Sequence, residues 1–345
     1  MEISTFDIRR MYSRFEKIQI KFGFLLTYSY LCRMQVVTED GVIKKDSLKA
    51  WVLAARPKTL SGAAVPVMIG LSLAWTDAQA YYVPGTFNWV AAALCILFAF
   101  IMQIDANFIN DFVDYAKGTD DRATRLGPER ACAQGWVSTE KMKRVIAATT
   151  CLACLVGLPL VWYGGLEMIV IGILCVAFCF LYTTHLSYMG LGDVLVLVFF
   201  GLIPVCITYY LQLHTVTLEV LLASIACGLV IDALLIVNNF RDRDTDRLAG
   251  KRTIAVRLGP QRTLQLYLAV GIIACLLGAV FLFNDRWLVF VLPLLYLLLH
   301  YFTFLKMKKI WEGRELNKCL GATARNIFLY GLLVSAGLLL QYLMG

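Results

Sequence analysis

The chain has 345 residues, of which 59% are hydrophobic and only 16% are charged, and its mean hydropathy is +0.70. A soluble domain is nearer half apolar and a quarter charged, so the composition excludes one and predicts a protein embedded in a lipid bilayer. The formal net charge of +8 does not indicate a nucleic-acid partner, because the basic residues are concentrated in a few loops between apolar segments.

Residues 1–47 differ from the rest of the chain, because they mix charges of both signs and contain only a short apolar stretch at 22–31. That stretch is too short to span a bilayer, and no small-residue cleavage site follows it, which argues against a signal peptide. We predict that 1–47 is an extension outside the core, and that 1–33 is dispensable or absent from the natural protein, with Met34 as its start. A single membrane domain is predicted over 48–345.

Nine apolar segments follow the extension, and each is close to the length that a transmembrane helix needs. Because every backbone polar group in lipid must be hydrogen-bonded within the protein, these segments are predicted to be helices. The predicted fold class is all-α, a polytopic membrane protein with nine transmembrane helices. Their predicted ranges are 60–76, 88–109, 143–163, 166–184, 191–211, 217–240, 263–283, 287–305 and 326–344.

Lysine and arginine are concentrated in three loops, at 110–144, 241–262 and 306–325, whereas the loop at 77–87 has none. Basic loops of this kind stay on the cytoplasmic side of a membrane. The N-terminus is therefore predicted to lie inside and the C-terminus outside, as an odd number of helices requires.

The first acidic cluster lies at the end of the second apolar segment. Asn107, Asn110, Asp111 and Asp114 are spaced i, i+3, i+4 and i+7, so they share one face of a helix. Carboxylates beside a bilayer are costly and usually mark a functional site. Because Mg²⁺ prefers oxygen ligands, typically a few carboxylates together with substrate phosphates, the stripe predicts half of a metal-diphosphate site.

The second acidic cluster lies at the end of the sixth apolar segment. Asn238, Asp242 and Asp246 are spaced i, i+4 and i+8, which again places them on one helix face. Two such faces opposed across a cavity could hold Mg²⁺ around one diphosphate. The alternative is that the acids only pair with neighbouring arginines such as Arg241, which explains the first cluster poorly because that cluster contains no cation.

A diphosphate also needs cationic side chains, since guanidinium groups bind phosphate in a bidentate manner and lysine acts as a point charge. Each basic residue close to the two clusters has an ordinary alternative as a residue that sets membrane topology. The candidate diphosphate ligands are Arg56, Lys58, Lys117, Arg130, Arg241, Lys251 and Arg252.

With these clusters the chain resembles the UbiA-type intramembrane prenyltransferases, and within that superfamily the 1,4-dihydroxy-2-naphthoate polyprenyltransferase branch. The resemblance covers about residues 50–344. It rests on the stretches ARPKTL (55–60), NDFVDYAKGTD (110–120), LGPER (126–130), YMGLGD (188–193), NNFRD (238–242) and GKRT (250–253).

The resemblance implies a helical bundle around a central cavity in a bacterial cytoplasmic membrane. It implies transfer of a polyprenyl group from polyprenyl diphosphate to 1,4-dihydroxy-2-naphthoate, with loss of CO₂, to give a demethylmenaquinone in menaquinone biosynthesis. Mg²⁺ is the implied cofactor, and aromatic residues in the cavity are candidates to shield an allylic cation. Those candidates are Tyr115, Tyr182 and Tyr188.

The resemblance also assigns roles to single residues. Implied catalytic residues are Asn110, Asp114, Asp242, Asp246 and Lys251, and implied metal ligands are Asn110, Asp111, Asp114, Asp120, Asp242 and Asp246. Implied substrate-binding residues are Arg56, Lys58, Asn107, Lys117, Arg130, Asn238, Arg241 and Arg252. The wider superfamily often has a third acid where this chain has Gly118, which leaves open whether Asp120 or Asp121 is the third ligand.

Two other functions remain open from the sequence. The first is a UbiA-type enzyme for another acceptor, such as 4-hydroxybenzoate or homogentisate. The second is a membrane transporter that uses Asp193 and Asp232 as ionisable groups, although a transporter places its acids near the bilayer midplane and most acids here lie at helix ends. Asp232 is expected to face the cavity and not lipid.

Overall fold

The structure is a computed structural model, and it describes residues 43–80, 85–118, 125–182, 186 and 189–344. Lys44–Gly345 form one compact unit. The predicted extension up to residue 42, the candidate start Met34, the candidate ligands Asp120 and Asp121, and Tyr188 lie outside the described residues.

Every regular element in the described part of the chain is helical, which confirms the predicted all-α class. A short 3₁₀ turn, Pro57–Thr59, joins the first helix to the second. In chain order the helices are α1 (Leu48–Ala55), α2 (Ser61–Ala80), α3 (Trp89–Ala116), α4 (Thr139–Gly164), α5 (Glu167–Leu181), α6 (Gly192–Leu213), α7 (Leu218–Leu248), α8 (Ile254–Leu258), α9 (Pro260–Asn284), α10 (Trp287–Ile310) and α11 (Arg314–Met344).

The predicted number of spans is corrected by the helix lengths. Among the described residues, 7 helices are long and apolar enough to cross a membrane, or 8 if the bent pair α1 and α2 is counted as one span. The segment predicted at 166–184 forms α5, which has 15 residues and is therefore shorter than the about 20 that a crossing requires. The chain is an integral membrane protein, and the part of it that the structure describes has fewer full-length spans than the predicted nine.

Some of the helices begin at capping side chains. Asn88 accepts a hydrogen bond from the backbone N–H of Ala91 at the start of α3, and Thr217 accepts one from Val220 at the start of α7. Such caps satisfy N–H groups that have no partner within the helix. The α1–α2 pair bends by 50°, and Arg56, at the bend, has a left-handed backbone conformation with φ of 51°.

Helix α7 lies at the centre of the bundle. In its apolar 18-residue stretch 67% is buried, against 17–39% in the corresponding stretches of the other full-length helices. It packs most extensively on α9 and on a π-helical part of α6, Leu197–Leu202. At that contact a Cβ on Gly201 would lie 2.6 Å from the carbonyl oxygen of Ser224, and one on Gly228 would lie 2.7 Å from Leu197 Cδ1. Small residues at these two positions let the backbones of α6 and α7 approach closely.

A buried ion-pair network, which was not predicted from the sequence, lies at the start of α7, the end opposite the second acidic cluster. Arg286 donates to Asp77 Oδ1 at 2.5 Å and to Glu219 Oε2 at 3.3 Å. Tyr209 donates to Asp77 Oδ2 at 2.7 Å, and Asn284 donates to Glu219 Oε1 at 2.6 Å. The network joins α2, α6, α7 and the loop between α9 and α10 at one end of the bundle.

Candidate active site

The structure brings the two acidic helix ends together, although 128 positions separate Asp114 from Asp242 in the numbering. Asp114, at the end of α3, and Asp242, on α7, both act electrostatically on Asp246. The same charged region includes Lys251, which follows α7. The arrangement therefore places carboxylates from two helices around one space.

A cavity of about 460 Å³ opens beside these helix ends. Asn110 and Asn238 line it, together with Thr59 and Gln103, so its end near the acids is polar. The rest of the lining is mainly apolar and aromatic and includes Phe98, Phe178, Phe199, Phe200 and Leu211. The polar end lies next to the charged groups of the two helix ends, and we refer to that region as the charged mouth. A cavity with such surroundings and a mainly apolar interior suits a ligand with an anionic head and a hydrocarbon tail.

The polar stripe on α3 divides into two pairs with different surroundings. Asn107 donates to the carbonyl oxygen of Ala55 and to Thr59 Oγ1, each at 2.9 Å, and so ties α3 to the bend between α1 and α2. Asp111 is fully buried and accepts hydrogen bonds from the backbone N–H groups of Ala131 and Cys132 at 2.8 and 2.9 Å. This geometry favours structural roles for both residues over the predicted substrate-binding and metal-ligand roles.

The other members of the stripe point toward the site. Asn110 lines the cavity, and Asp114 contacts Arg130, whose Nη2 lies 3.1 Å from Asp114 Oδ2. Lys251, Arg125, Arg56 and Lys117 also act electrostatically on Asp114. Asp114 is therefore surrounded by positive charge although no cation lies beside it in the sequence.

Arg241 holds the second acidic cluster in place. Its guanidinium donates to both oxygens of Asp242, at 2.8 and 2.6 Å, and to Asn317 Oδ1 at 2.8 Å. Asn317 in turn donates to the carbonyl oxygen of Leu126 at 2.9 Å, which attaches the loop after α3 to α7 and α11. Near the end of α7, Asp246 Oδ1 lies 3.8 Å from Nζ of Lys251, which follows the helix. The alternative of simple ion pairing thus describes the geometry of each acid, but it does not explain the cavity beside them.

Arg56 and Arg125 are the cations with the most distinctive surroundings. Nη2 of Arg56 is buried and has no hydrogen-bond partner among the described residues, while Asp111 and Asp114 act on it electrostatically. Arg125 was not among the predicted residues, yet it lies close to Asp242, Asp114 and Arg56. Burial, and next the charge of Arg56, lower the pKa of Arg125 to about 10, so it remains a cation at neutral pH.

The remaining predicted residues are less tightly placed. Lys58, Lys117 and Arg252 are exposed, and among the described residues Lys117 is the one of these three that acts electrostatically on a site acid, Asp114. Arg125 precedes the LGPER stretch directly, and its position next to that stretch is the only sequence signal that could have identified it.

The carboxylate and amide side chains near the cavity suit a metal ion that is coordinated partly by the protein and partly by a bound ligand. Within the described ranges, no group of three or more His, Cys, Asp or Glu side chains is arranged to enclose a metal ion. Mg²⁺ is commonly held by one or two carboxylates while phosphates and water complete its coordination. Asp114, Asp242 and Asp246, with the amide oxygens of Asn110 and Asn238 nearby, suit that partial type of site.

A substitution at Gly127 tests whether the contact between Arg241 and Asp242 matters for turnover. A Cβ at this position would lie 2.7 Å from Nη2 of Arg241 and 3.3 Å from Nη2 of Arg125. Gly127→Ala should therefore displace the guanidinium that holds Asp242 and lower kcat about tenfold or more, as expected when a hydrogen bond to a charged group is lost. Gly321→Ala is the matched control, because nothing lies within 4 Å of its Cβ position. Equal turnover by the two variants would contradict a role for this contact.

Comparison with known proteins identifies the family. Residues 64–338 match the UbiA prenyltransferase family. The chain is 36% identical to the 1,4-dihydroxy-2-naphthoate octaprenyltransferase of Escherichia coli, covering 69% of this chain and 79% of that protein. It is 34% identical to the protein of the same name from Mycobacterium tuberculosis, covering 70% and 81%.

Solved structures share the same architecture. A UbiA homologue from Archaeoglobus fulgidus, bound to DMAPP and Mg²⁺, superposes with a TM-score of 0.56 at 18% identity, covering 83% of this chain and 99% of that one. At this identity the likeness establishes the fold alone. From the family match and the two bacterial relatives, the chain belongs to the UbiA prenyltransferase family.

Proposed function

We propose that the protein transfers a polyprenyl group from polyprenyl diphosphate to 1,4-dihydroxy-2-naphthoate, with loss of CO₂, and so produces a demethylmenaquinone for menaquinone biosynthesis. The observation that carries the proposal is the grouping of carboxylates from the ends of α3 and α7, with cations that lie mainly in the adjoining loops, beside the polar end of a mainly apolar cavity. The choice of acceptor is supported by the bacterial relatives, which are named for this naphthoate and are 34–36% identical to the chain.

The anionic head of the donor is proposed to bind at the charged mouth. Arg56, Arg125, Arg130 and Lys251 surround Asp114 there, and Nη2 of Arg56 is buried with no hydrogen-bond partner in the described part of the chain. Guanidinium groups bind phosphate in a bidentate manner, so this ring of cations suits a diphosphate. The prenyl chain would then lie along the apolar lining formed by residues such as Phe98 and Phe199.

Mg²⁺ is the proposed cofactor, with Asp114, Asp242 and Asp246 as its carboxylate ligands and Asn110 and Asn238 as candidate amide ligands. When bound, it supplies positive charge that stabilises the departing diphosphate. Asp111 and Asn107 are proposed to shape the site, because their polar groups are engaged with the loop after α3 and with the α1–α2 bend.

The chain's own groups would act on both reactants. Arg56, Arg125, Arg130 and Lys251 stabilise the negative charge that grows on the diphosphate oxygen as the allylic C–O bond breaks. The electron-rich ring attacks the allylic carbon through the ring carbon that carries the carboxylate. The C–CO₂ bond then breaks, its electron pair returns to the ring, and CO₂ leaves, so no proton is released overall.

The proposed location is the bacterial cytoplasmic membrane, with the acidic helix ends on the cytoplasmic side. Support comes from the basic residues that follow α3 and α7, since loops rich in lysine and arginine remain in the cytoplasm. This proposed orientation keeps the N-terminus inside and the C-terminus outside, and it requires the segment between α4 and α6, which contains α5, to cross the membrane as well.

The loss of CO₂ provides a direct test of the reaction. With naphthoate labelled in its carboxyl carbon, each prenylated product formed by the purified protein should be accompanied by one labelled CO₂. A prenylated product that retains the label would instead indicate attack beside the carboxylate, as expected for a hydroxybenzoate-type reaction. Trapped CO₂ and extracted product are counted over the same time course.

A further inference from the structure

A buried amide oxygen in the wall of the cavity lacks a hydrogen-bond donor. Oε1 of Gln103, on α3, is buried and has no partner among the described residues, and Gln103 lines the cavity. A buried acceptor without a donor is costly, so a bound ligand that supplies a donor gains from the contact. The other buried side-chain atoms without a partner in the described ranges belong to residues that do not line the cavity, namely Arg56, Arg130, Asp193, Asp232, Thr253 and Ser335.

The direction of the Gln103 amide is fixed by Thr59. The Thr59 hydroxyl donates its proton to the carbonyl oxygen of Arg56 at 2.9 Å, so Oγ1 can only accept from other groups. It accepts from Nδ2 of Asn107 at 2.9 Å and from Nε2 of Gln103 at 3.5 Å. A flipped amide would place Oε1 against an oxygen whose proton is already used. The NH₂ group of Gln103 therefore faces Thr59, and its oxygen is left for another donor.

Gly62 and Phe200 border the cavity beside this oxygen. A Cβ on Gly62 would lie 4.0 Å from Gln103 Oε1 and 3.6 Å from Cδ1 and Cε1 of the Phe200 ring. Both residues line the cavity, and Phe200 belongs to the π-helical part of α6. The oxygen thus lies near an aromatic ring at a position where α2 has no side chain. These surroundings suit an aromatic ligand whose ring packs on Phe200 while its hydroxyl donates to Oε1.

Gln103 lies deeper in the bundle than the groups proposed to meet the diphosphate. Gln103 and Asn110 are spaced i and i+7, so they share one face of α3. The rise of a helix places them about 10 Å apart along its axis. Asn110 also lines the cavity, and Asp114 follows one turn later at the charged mouth. A ring held at Gln103 therefore lies on the apolar side of the diphosphate region.

The two hydroxyls of the naphthoate differ in what they can donate to the protein. The hydroxyl next to the carboxylate donates to it within the same molecule, which occupies its proton. The other hydroxyl, which we call the remote hydroxyl, is free to donate to a protein acceptor. With the remote hydroxyl bound at Gln103, the carboxylate and the ring carbon that carries it lie nearer the charged mouth, where the reacting carbon of the donor is expected.

We propose that Oε1 of Gln103 accepts a hydrogen bond from the remote hydroxyl of the aromatic acceptor and so fixes the ring in the cavity beside Phe200. The inference rests on the proposed function, because it assigns an acceptor subsite in the same cavity. Gln103 then selects for acceptors with a hydroxyl at that position. Thr59 is a positioning residue, since it acts by directing the Gln103 amide.

The test is a cycle between residue 103 and the remote hydroxyl. Wild-type protein and Gln103→Met are each assayed with 1,4-dihydroxy-2-naphthoate and with 1-hydroxy-2-naphthoate, which lacks the remote hydroxyl. Methionine keeps the length of the side chain and removes the acceptor oxygen. Gln103→Met should lower kcat/KM for the dihydroxy compound about tenfold, as expected for a hydroxyl buried without its partner, and change the value for the monohydroxy compound by less than about twofold.

Each acceptor is compared with itself in the two proteins, so the difference in ring reactivity between the acceptors cancels. The KM for polyprenyl diphosphate should stay within about twofold, because the diphosphate site is intact. Where turnover of the monohydroxy compound is too slow to follow, its inhibition constant against the dihydroxy compound is compared in its place, with the same expectation. Gln265→Met is the matched control, since Gln265 is exposed on α9, and its kinetics should equal those of the wild type.

Two further positions probe the same contact without changing Gln103. Gly62→Ala adds a methyl group at ordinary contact distances from Gln103 and Phe200, so the fold should be kept while the space beside Oε1 shrinks. It should lower kcat/KM several-fold more for the dihydroxy than for the monohydroxy compound. Thr59→Val removes the hydroxyl that directs the amide, whereas Thr59→Ser keeps it, so only the valine variant should lose this preference.

The proposal is overturned if Gln103→Met lowers kcat/KM for both acceptors by the same factor, which would make the amide purely structural. It is also overturned if neither value changes, since the oxygen would then meet no hydroxyl. Thermal unfolding midpoints show whether each variant is folded. If Gln103→Met is not folded, Gly62→Ala decides by the same criterion.

The outcome is separable from the proposed function. If the wild-type protein fails to convert the naphthoate but prenylates another phenol, the proposed function is wrong. The same cycle, run with that phenol and its methyl ether, then decides whether Gln103 receives the hydroxyl.

Discussion

Replacement of Asp114 or Asp242 by asparagine is expected to lower kcat at least about 100- to 1000-fold, the loss seen when a group that stabilises developing charge is removed. Each substitution keeps the size of the side chain and removes its negative charge, so Mg²⁺ and the diphosphate lose a charged ligand. Turnover is measured with the purified protein at saturating Mg²⁺, and the thermal unfolding midpoint shows whether the protein stays folded.

Asp244→Asn is the matched control for that result. Asp244 lies between Asp242 and Asp246 in sequence, but its side chain is 65% exposed and pairs with Arg247. Its variant should retain most of the activity. If Asp114→Asn or Asp242→Asn keeps more than a few per cent of wild-type turnover, the two-sided diphosphate site is wrong.

The second large effect is expected in stability. Arg286→Met removes the only cation that contacts both Asp77 and Glu219 in the described structure, and it leaves two buried acids close together. Removing one partner from a buried ion pair costs about 3–5 kcal/mol, because the remaining charge is left unpaired in a low dielectric. The free energy of unfolding in detergent should fall by about that amount.

Arg247→Met is the control for stability, because the Arg247–Asp244 pair is exposed, and exposed pairs contribute about 0–1 kcal/mol. The network lies at the end of α7 away from the acidic clusters, so activity per folded molecule of Arg286→Met should remain. An unfolding free energy that is unchanged by Arg286→Met would show that the network does not stabilise the bundle.

The helical class was accessible from the sequence, and a candidate site at two helix ends could be predicted from it, because both depend on local patterns. Apolar segments of about 20 residues specify helices in lipid, and the spacing of Asn110, Asp114, Asp242 and Asp246 places them on helix faces. The span count failed at α5, where an apolar run of the right composition forms a helix of only 15 residues.

The sequence could not predict which members of the first cluster face the cavity and which have structural partners. Asn107, Asn110, Asp111 and Asp114 share a face wide enough to contact two different neighbours, and spacing alone cannot tell which pair meets the cavity. Asn107 and Asp111 contact the bend and the loop, where their partners are backbone groups and, for Asn107, also the hydroxyl of Thr59. Backbone partners carry no signature in the sequence.

Contacts between distant positions were missed for the same reason. Arg130 was a candidate from its position after the first cluster, but its contact with Asp114 was not predicted. Arg286, which reaches Asp77 across 209 positions, does not stand out from its neighbours in sequence. Asp193 and Asp232 were noticed as deep acids, but what surrounds their side chains depends on how closely α6 and α7 pack. Such pairings follow from the tertiary fold and not from periodicity.

The measurement that tests the central claim most directly is an acceptor comparison. The purified protein is offered 1,4-dihydroxy-2-naphthoate, 4-hydroxybenzoate and homogentisate in parallel, each with one polyprenyl diphosphate and Mg²⁺, and products are identified by mass. We expect a single prenylated product, formed from the naphthoate and lighter by one CO₂ than the simple adduct. Prenylation of hydroxybenzoate or homogentisate with no product from the naphthoate would contradict the account.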